Sequence, residues 1–358
     1  MSRFTVYLSR SSSRLYARSV ESTNQPYLIP EVQPSQPAMK SDRGVSVEDM
    51  RVRSRGMLHL TLLVATAITT TLTGIALSPT TKTPLTDSLL YDLVSPILIA
   101  FEKTMAGDLA PLTDGLLFTF TLITILGAHE LGHYFACKYY GIRATLPFFI
   151  PAPPIFTLFG TFGAVIKIKE PITTRRALFD IGIAGPLAGF ALALPASIIG
   201  LLMAEPAEPP SRSDWYFAEP GLFKLITTLF NLSPWIEWNP IYWAAWGTLL
   251  VTALNLFPVG QLDGGHVVYA LFGRRAHKWV SRTVCAAVIV LAAVTTALYS
   301  LPVWILWSLV LLFMLKVGHP PVRDEQPLGS TRIMLAILAA IIFLLCFMHM
   351  PLFYYEKP

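Results

Sequence analysis

Charge is what this chain has least of. Only 14% of its 358 residues are Asp, Glu, Lys or Arg, against 53% apolar, and the mean hydropathy is +0.55. A soluble domain carries roughly a quarter charged residues, so this composition excludes an ordinary water-soluble fold and points to a bilayer as solvent. Cysteine is almost absent. Cys137, Cys285 and Cys346 lie far apart and form no Cys-x-x-Cys, which excludes a disulfide framework and a thiolate metal site and leaves them as core residues. The net charge of +5 is not gathered into a patch, because Lys and Arg sit mostly between apolar runs; nucleic acid is therefore not expected as a partner. No secretory signal pattern opens the chain.

What is present is a series of apolar runs close to the roughly 20 residues that a membrane span requires. They cover 57–78, 113–137, 178–203, 240–258, 283–299, 302–317 and 333–350, with 90–101 ambiguous. The expected fold is an all-α polytopic membrane protein with about seven transmembrane helices. Residues 1–55, basic and rich in Ser and Pro, read as a disordered N-terminal tail. The opening of that tail is also Arg- and Ser-rich and acid-poor, as organelle transit peptides are. Four regions follow: the tail 1–55, a first span with an exterior loop over 56–112, a catalytic transmembrane core over 113–271, and C-terminal transmembrane helices over 272–358. The tail, the loop with Arg143, Lys167, Lys169, Arg175 and Arg176, and the turn with Arg274, Arg275, Lys278 and Arg282 all fall on one side. By the excess of basic residues on cytoplasmic loops, that side and the N-terminus are cytoplasmic, most simply at a bacterial plasma membrane, with an organelle membrane as the alternative.

Residues 146–171 carry prolines that forbid a continuous helix, and they end in the alternation Ile166, Lys167, Ile168, Lys169. A small membrane-associated β-hairpin is expected there, between two spans. Gly160 and Gly163 allow close backbone approach, which suits an edge that docks an extended peptide; a loop that merely packs is the competing reading.

The run GAHELGHYFACKYY places His129 and His133 four residues apart, on one helical face where both imidazoles can reach one metal ion. Glu130 beside them has the position of a base that takes a proton from a metal-activated water. Ionisable residues within an apolar span are expensive and are functional candidates by default. A catalytic zinc takes three protein ligands, and Asp263, in NLFPVGQLDGGH, is the best third. It stands at the end of a span that runs in the same direction as the HELGH span, and Pro258, Gly260, Gly264 and Gly265 prevent a regular helix around it.

HELGH in one span and N-x-x-P-x-x-x-L-D-G-G two spans later resemble the site-2 protease family of intramembrane zinc metalloproteases, over about 113–271. The resemblance implies a zinc-dependent metalloendopeptidase holding one Zn2+ per chain on His129, His133 and Asp263, with Glu130 as general base. It also implies a role for Asn255 in positioning substrate or the oxyanion. The substrate would be a membrane protein, a single-span one most simply, cut within or near the cytoplasmic side of the bilayer in regulated intramembrane proteolysis. GTFGA around Gly160 resembles the family's membrane-associated hairpin, and GHPP at His319 resembles a relative's cytoplasmic extension. The chain departs from the family pattern at Gly189, where many members have Asn after Ala-Gly-Pro, so no substrate contact is carried over there. The longest hydrophilic loop, 204–239, is too short for a PDZ-like or nucleotide-sensing domain.

Other polar residues read more plainly. His266 is either an alternative ligand or a support or cap near Asp263, His319 belongs to a turn before two prolines, and Asp180 lies near Arg175 and Arg176. The rival functions are a transporter whose intramembrane polar residues line an ion path, and a catalytically silent relative that binds membrane proteins.

Overall fold

The computed structural model of the protein describes residues 47–81, 89–154, 156–208, 214–299, 302–322 and 326–355. Most of the expected basic tail, 1–46, lies outside them, while residues 47–55 form the start of a helix. Among the described residues there are nine α-helices: α1 (Val47–Ala76), α2 (Leu89–Met105), α3 (Ala110–Tyr139), α4 (Arg175–Leu202), α5 (Gly221–Leu229), α6 (Pro240–Asn255), α7 (Asp263–Tyr299), α8 (Val303–Val317) and α9 (Ser330–Cys346).

Their ends follow from local chemistry. Thr174 caps α4 by accepting from the Ala177 amide at 3.2 Å, and Asn239 caps α6 by accepting from the Tyr242 amide at 2.9 Å, contacts worth about 1 kcal/mol each. Pro111 and Pro240 sit in the first turns of α3 and α6, where a missing amide hydrogen costs nothing. In α7 one residue, Gly273 with φ 80°, breaks the helical path and separates the first ten residues from the long apolar remainder.

Four helical segments, Gly56–Ala76, Ala110–Tyr139, Arg175–Leu202 and Asp263–Leu298, are long and apolar enough to cross a membrane. The other three expected spans are also helices, but short ones. Central α6 has 16 residues, or about 24 Å at the α-helical rise, against a hydrocarbon core of roughly 30 Å. It stops at Asn255 because Pro258 and Gly260 follow; α8 and α9 reach only 15 and 17 residues. The seven runs are thus helical, and four of them meet the length for a span.

α6 is almost wholly inside, with Trp246, Leu249, Ala244 and Ala245 at 0–1% exposure, packed by α3, α4 and α9. The outward faces of α3, α8 and α9 are apolar too: Phe120, Leu306, Leu309, Phe313, Ile337 and Leu344 are all exposed. Apolar inside and out is the signature of helices solvated by lipid.

Two strands, β1 (Phe148–Pro151) and β2 (Thr161–Val165), form the hairpin between α3 and α4, paired antiparallel as Phe148 with Val165, Phe149 with Ala164, and Pro151 with Thr161 across a bulge. The alternating Ile166–Lys169 stretch, which read as the strand, contributes only a bridge between Ala144 and Ile168. The run that pairs precedes it, because prolines confine the partner to 148–151. Further along, β3 (Glu205–Pro206) pairs with β5 (Ile236–Glu237), and β4 (Asp214–Phe217) pairs with β6 (Leu352–Tyr355), so the C-terminal strand fastens the 204–239 loop.

Asp180 does not pair with Arg175 or Arg176. Arg332, from the first turn of α9, donates to both of its carboxylate oxygens at 2.7 and 2.8 Å, and the Tyr140 hydroxyl donates to it as well. Arg175 instead donates to the Ala270 and Leu271 carbonyls where α7 approaches its break, at 2.5 to 2.9 Å. The forked Arg332–Asp180 contact ties α9 to α3 and α4, and each partner is about one quarter exposed. Arg332→Ala is expected to destabilise the protein by about 1–2 kcal/mol, measured as a lowered thermal midpoint in detergent, with Arg332→Lys recovering only part because a lysine cannot make the fork.

Candidate metal centre

Four helices meet at one point. The C-terminal half of α3 carries His129, Glu130 and His133, which are 6%, 9% and 8% exposed. The first residue of α7 is Asp263, and the last of α6 is Asn255. α4 forms the wall behind the imidazoles.

His129 Nε2 lies 3.2 Å from Asp263 Oδ2, His133 Nε2 lies 3.4 Å from Asp263 Oδ1, and the two Nε2 atoms are 3.1 Å apart. Each of those separations is close to the roughly 3.3 Å between two ligands held about 2.0 to 2.1 Å from one metal ion, with the two imidazoles facing different oxygens of the carboxylate. His133 Nδ1 donates to the Ile181 carbonyl of α4 at 2.7 Å. That bond fixes the tautomer, leaving the Nε2 lone pair aimed at the other donors, as a metal-binding histidine requires. The residues present therefore fit a divalent cation of zinc's size and preference for nitrogen and oxygen ligands.

Glu130 also has a carboxylate oxygen within 4.8 Å of both imidazole donors, and the Ile166 amide just beyond β2 faces it. Asn255 brings its side-chain amide to 3.4 Å from His129 Nε2, so it faces the same space. All five polar residues singled out in the two motifs are thus brought together. The two hairpin glycines are not. The Gly160 backbone, at φ 71°, is pressed on α1: its carbonyl accepts from Thr69 Oγ1 at 2.7 Å, and a Cβ would fall 2.5 Å from the Thr69 carbonyl. The close backbone approach foreseen there is made with α1. Gly163 has open space where a Cβ would be.

Sequence reasoning passed over the glycine face of α4. A Cβ on Gly185 would lie 2.1 Å from His133 Nε2, one on Gly189 3.1 Å from the His129 Cβ, and one on Gly182 2.7 Å from the His266 Cβ. The residue noted for lacking an asparagine, Gly189, is where His129 lies against the α4 backbone. The signal was available: glycines at 182, 185 and 189 fall on one face of a helix.

His266 is not among the donors. Its Nδ1 is 2.8 Å from His319 Nε2, while His319 Nδ1 donates to the Pro320 carbonyl at 2.7 Å. His319 is therefore more than a turn residue; its ring stacks on Tyr269 at 4.1 Å. Burial holds its pKa down at about 4, against the opposing pull of the Pro320 carbonyl. Next to this centre, between the first part of α7 and α9, lies an apolar cavity of about 530 Å3 reaching from Gly264 to Phe343.

Residues 117–299 match the model of peptidase family M50, and the chain belongs to that family, the one that includes the site-2 proteases. Among its curated relatives is "Probable zinc metalloprotease EGY2, chloroplastic" of Arabidopsis thaliana, 31% identical over 271 residues that make up 72% of this chain and 45% of that protein. "Probable zinc metalloprotease EGY1, chloroplastic" is similar too, 30% identical in Arabidopsis thaliana over 66% of this chain and 43% of the relative, and 36% identical in Oryza sativa subsp. japonica over 41% and 26%. The chain spans less than half the length of these relatives. Their names give them a chloroplast address, so the bacterial plasma membrane expected from the sequence finds no support among them.

Proposed function

We propose that this chain is a zinc-dependent endopeptidase of an organelle membrane that cuts membrane-embedded protein substrates. The observation that carries the reading is the set of three donors, His129 Nε2, His133 Nε2 and an Asp263 carboxylate, separated by 3.1 to 3.4 Å inside an apolar helix bundle. The chloroplast designations of the relatives, together with an Arg- and Ser-rich opening of the kind organelle transit peptides have, support the choice of membrane.

In this reading His129, His133 and Asp263 hold one zinc. Bound there, zinc supplies Lewis acidity, acidifying a water and polarising the scissile carbonyl. Glu130 takes the proton from the attacking water and returns it to the leaving amine nitrogen. Asn255 donates its side-chain amide to the carbonyl oxygen as negative charge builds on it. The surrounding apolar helices keep bulk water away and strengthen each of these contacts. A helical substrate has its carbonyls bonded internally and must be extended locally before attack. Pairing with an edge of the two-stranded β1–β2 hairpin would hold it so, and the apolar cavity between α7 and α9 would receive its flanking side chains.

The test is metal content and cleavage together. Wild-type protein purified in detergent should carry about one zinc per chain and cut single-span membrane substrates reconstituted with it, with activity lost to a chelator and regained with zinc. His129→Ala and Asp263→Ala should lose both metal and activity. A folded wild type that neither contains nor takes up zinc would end this reading.

A further inference from the structure

The part of α7 beyond its break at Gly273 carries basic residues that the metal centre does not use. Arg274, Lys278 and Arg282 follow one another at four-residue intervals and so line one face of the helix. Like charges at that spacing repel and weaken a helix. Lys316 joins them from the last turn of α8, and all four are exposed. Among the described residues, none of the four is ion-paired to a carboxylate.

These charges surround a concave space. A cavity of about 310 Å3 between α7 and α8 is lined by the four cations, with His277 and His319 beside them and no acidic residue among the described ones. Its floor is buried and polar: His277 is 3% and Ser281 1% exposed. His277 Nε2 donates to the Gly260 carbonyl at 3.1 Å, and the Ser281 hydroxyl donates to the Pro258 carbonyl at 3.0 Å. The guanidinium of Arg282 lies 6.0 Å from the centre of the Trp279 ring, which helps hold it at the rim.

The tendency of basic residues to gather on one side of a membrane accounts for the side these charges occupy. It does not account for their converging, unneutralised, on a cavity with a buried polar floor. The ligand such a site fits is compact, multiply negative and rich in acceptors, since arginine and lysine together offer many donors to one oxyanion. The site lies at the end of α8, where the apolar run stops and where a helix leaving a hydrocarbon core would meet lipid headgroups.

We propose that this pocket between α7 and α8 binds a phosphate-bearing anion. The phosphate belongs either to an anionic lipid headgroup or to a soluble molecule, and one experiment separates the two. The full chain is placed in phosphatidylcholine nanodiscs and titrated with inorganic pyrophosphate by calorimetry. In parallel it is placed in nanodiscs of phosphatidylcholine mixed with phosphatidylglycerol, and retained lipid is counted by native mass spectrometry.

Wild type should bind one of the two probes, and Lys278→Gln with Arg282→Gln should weaken that binding about tenfold or more. Arg143→Gln with Lys169→Gln removes the same charge from the other basic loop and should change it by less than about twofold. Pyrophosphate binding without phosphatidylglycerol would mark a soluble ligand; retention of phosphatidylglycerol alone would mark a headgroup. If the α7 double variant does not fold, Lys316→Gln on α8 supplies the same comparison. The proposal is overturned if wild type binds neither probe, or if the control variant loses as much binding as the pocket variant.

Discussion

Glu130→Gln is expected to lower peptide-bond hydrolysis about a thousandfold while leaving the zinc content of the protein unchanged. The two carboxylates near the imidazoles are not equivalent. Asp263 reaches the two Nε2 atoms at 3.2 and 3.4 Å, whereas Glu130 makes no such close contact with either imidazole. A side chain set back from the donors can reach a water between itself and the metal, and a glutamine there keeps the shape but cannot accept a proton. If Glu130 were a ligand, its replacement would release metal; if it were only a packing residue, glutamine would leave the rate nearly intact. Elemental analysis and a single-turnover cleavage assay on the same preparation separate these outcomes. Retention of hydrolysis within about tenfold of wild type would remove Glu130 from the mechanism.

Much of the centre was legible in the sequence because its signals are local. His129 and His133 share a helical face by spacing alone, and a carboxylate in a Gly- and Pro-broken segment, Asp263, lies beside them. The apolar runs were equally plain, since each had to become a helix to satisfy its backbone in lipid. Span length was less so. Hydropathy does not say where α6 stops or that α7 continues from Asp263 to Tyr299, because Pro258 and Gly273 act through backbone geometry while neighbouring apolar residues keep the average high. The Asp180–Arg332 fork and the His266–His319 pair join residues 152 and 53 positions apart, and no periodicity connects such partners. Within the hairpin, Gly160 advertised a close approach, but whether the approaching backbone is a substrate or α1 is a matter of tertiary packing.

Gly185→Ala should cost the site its metal while sparing the fold, and the reason lies in how α4 meets α3. The added methyl would fall 2.1 Å from His133 Nε2, the atom proposed above to hold the metal. His133 cannot step aside, because its Nδ1 is bonded to the Ile181 carbonyl on the same helix that would carry the methyl. Either the imidazole turns away and gives up that bond, or α4 retreats from α3 along the line where Gly132 already brings the two backbones together. Both displace Nε2 by more than a tetrahedral site tolerates, so zinc affinity should fall by two orders of magnitude or so, with hydrolysis following it. Stability moves the other way in part, since alanine favours a helix over glycine by about 1 kcal/mol. A thermal midpoint near that of the zinc-free wild type is therefore expected. Gly189→Ala provides the graded comparison: its methyl would meet His129 at 3.1 to 3.3 Å, a misfit of a few tenths of an ångström, and should weaken zinc binding far less. Equal zinc retention by wild type and Gly185→Ala would mean that His133 does not offer Nε2 to the metal against the α4 wall.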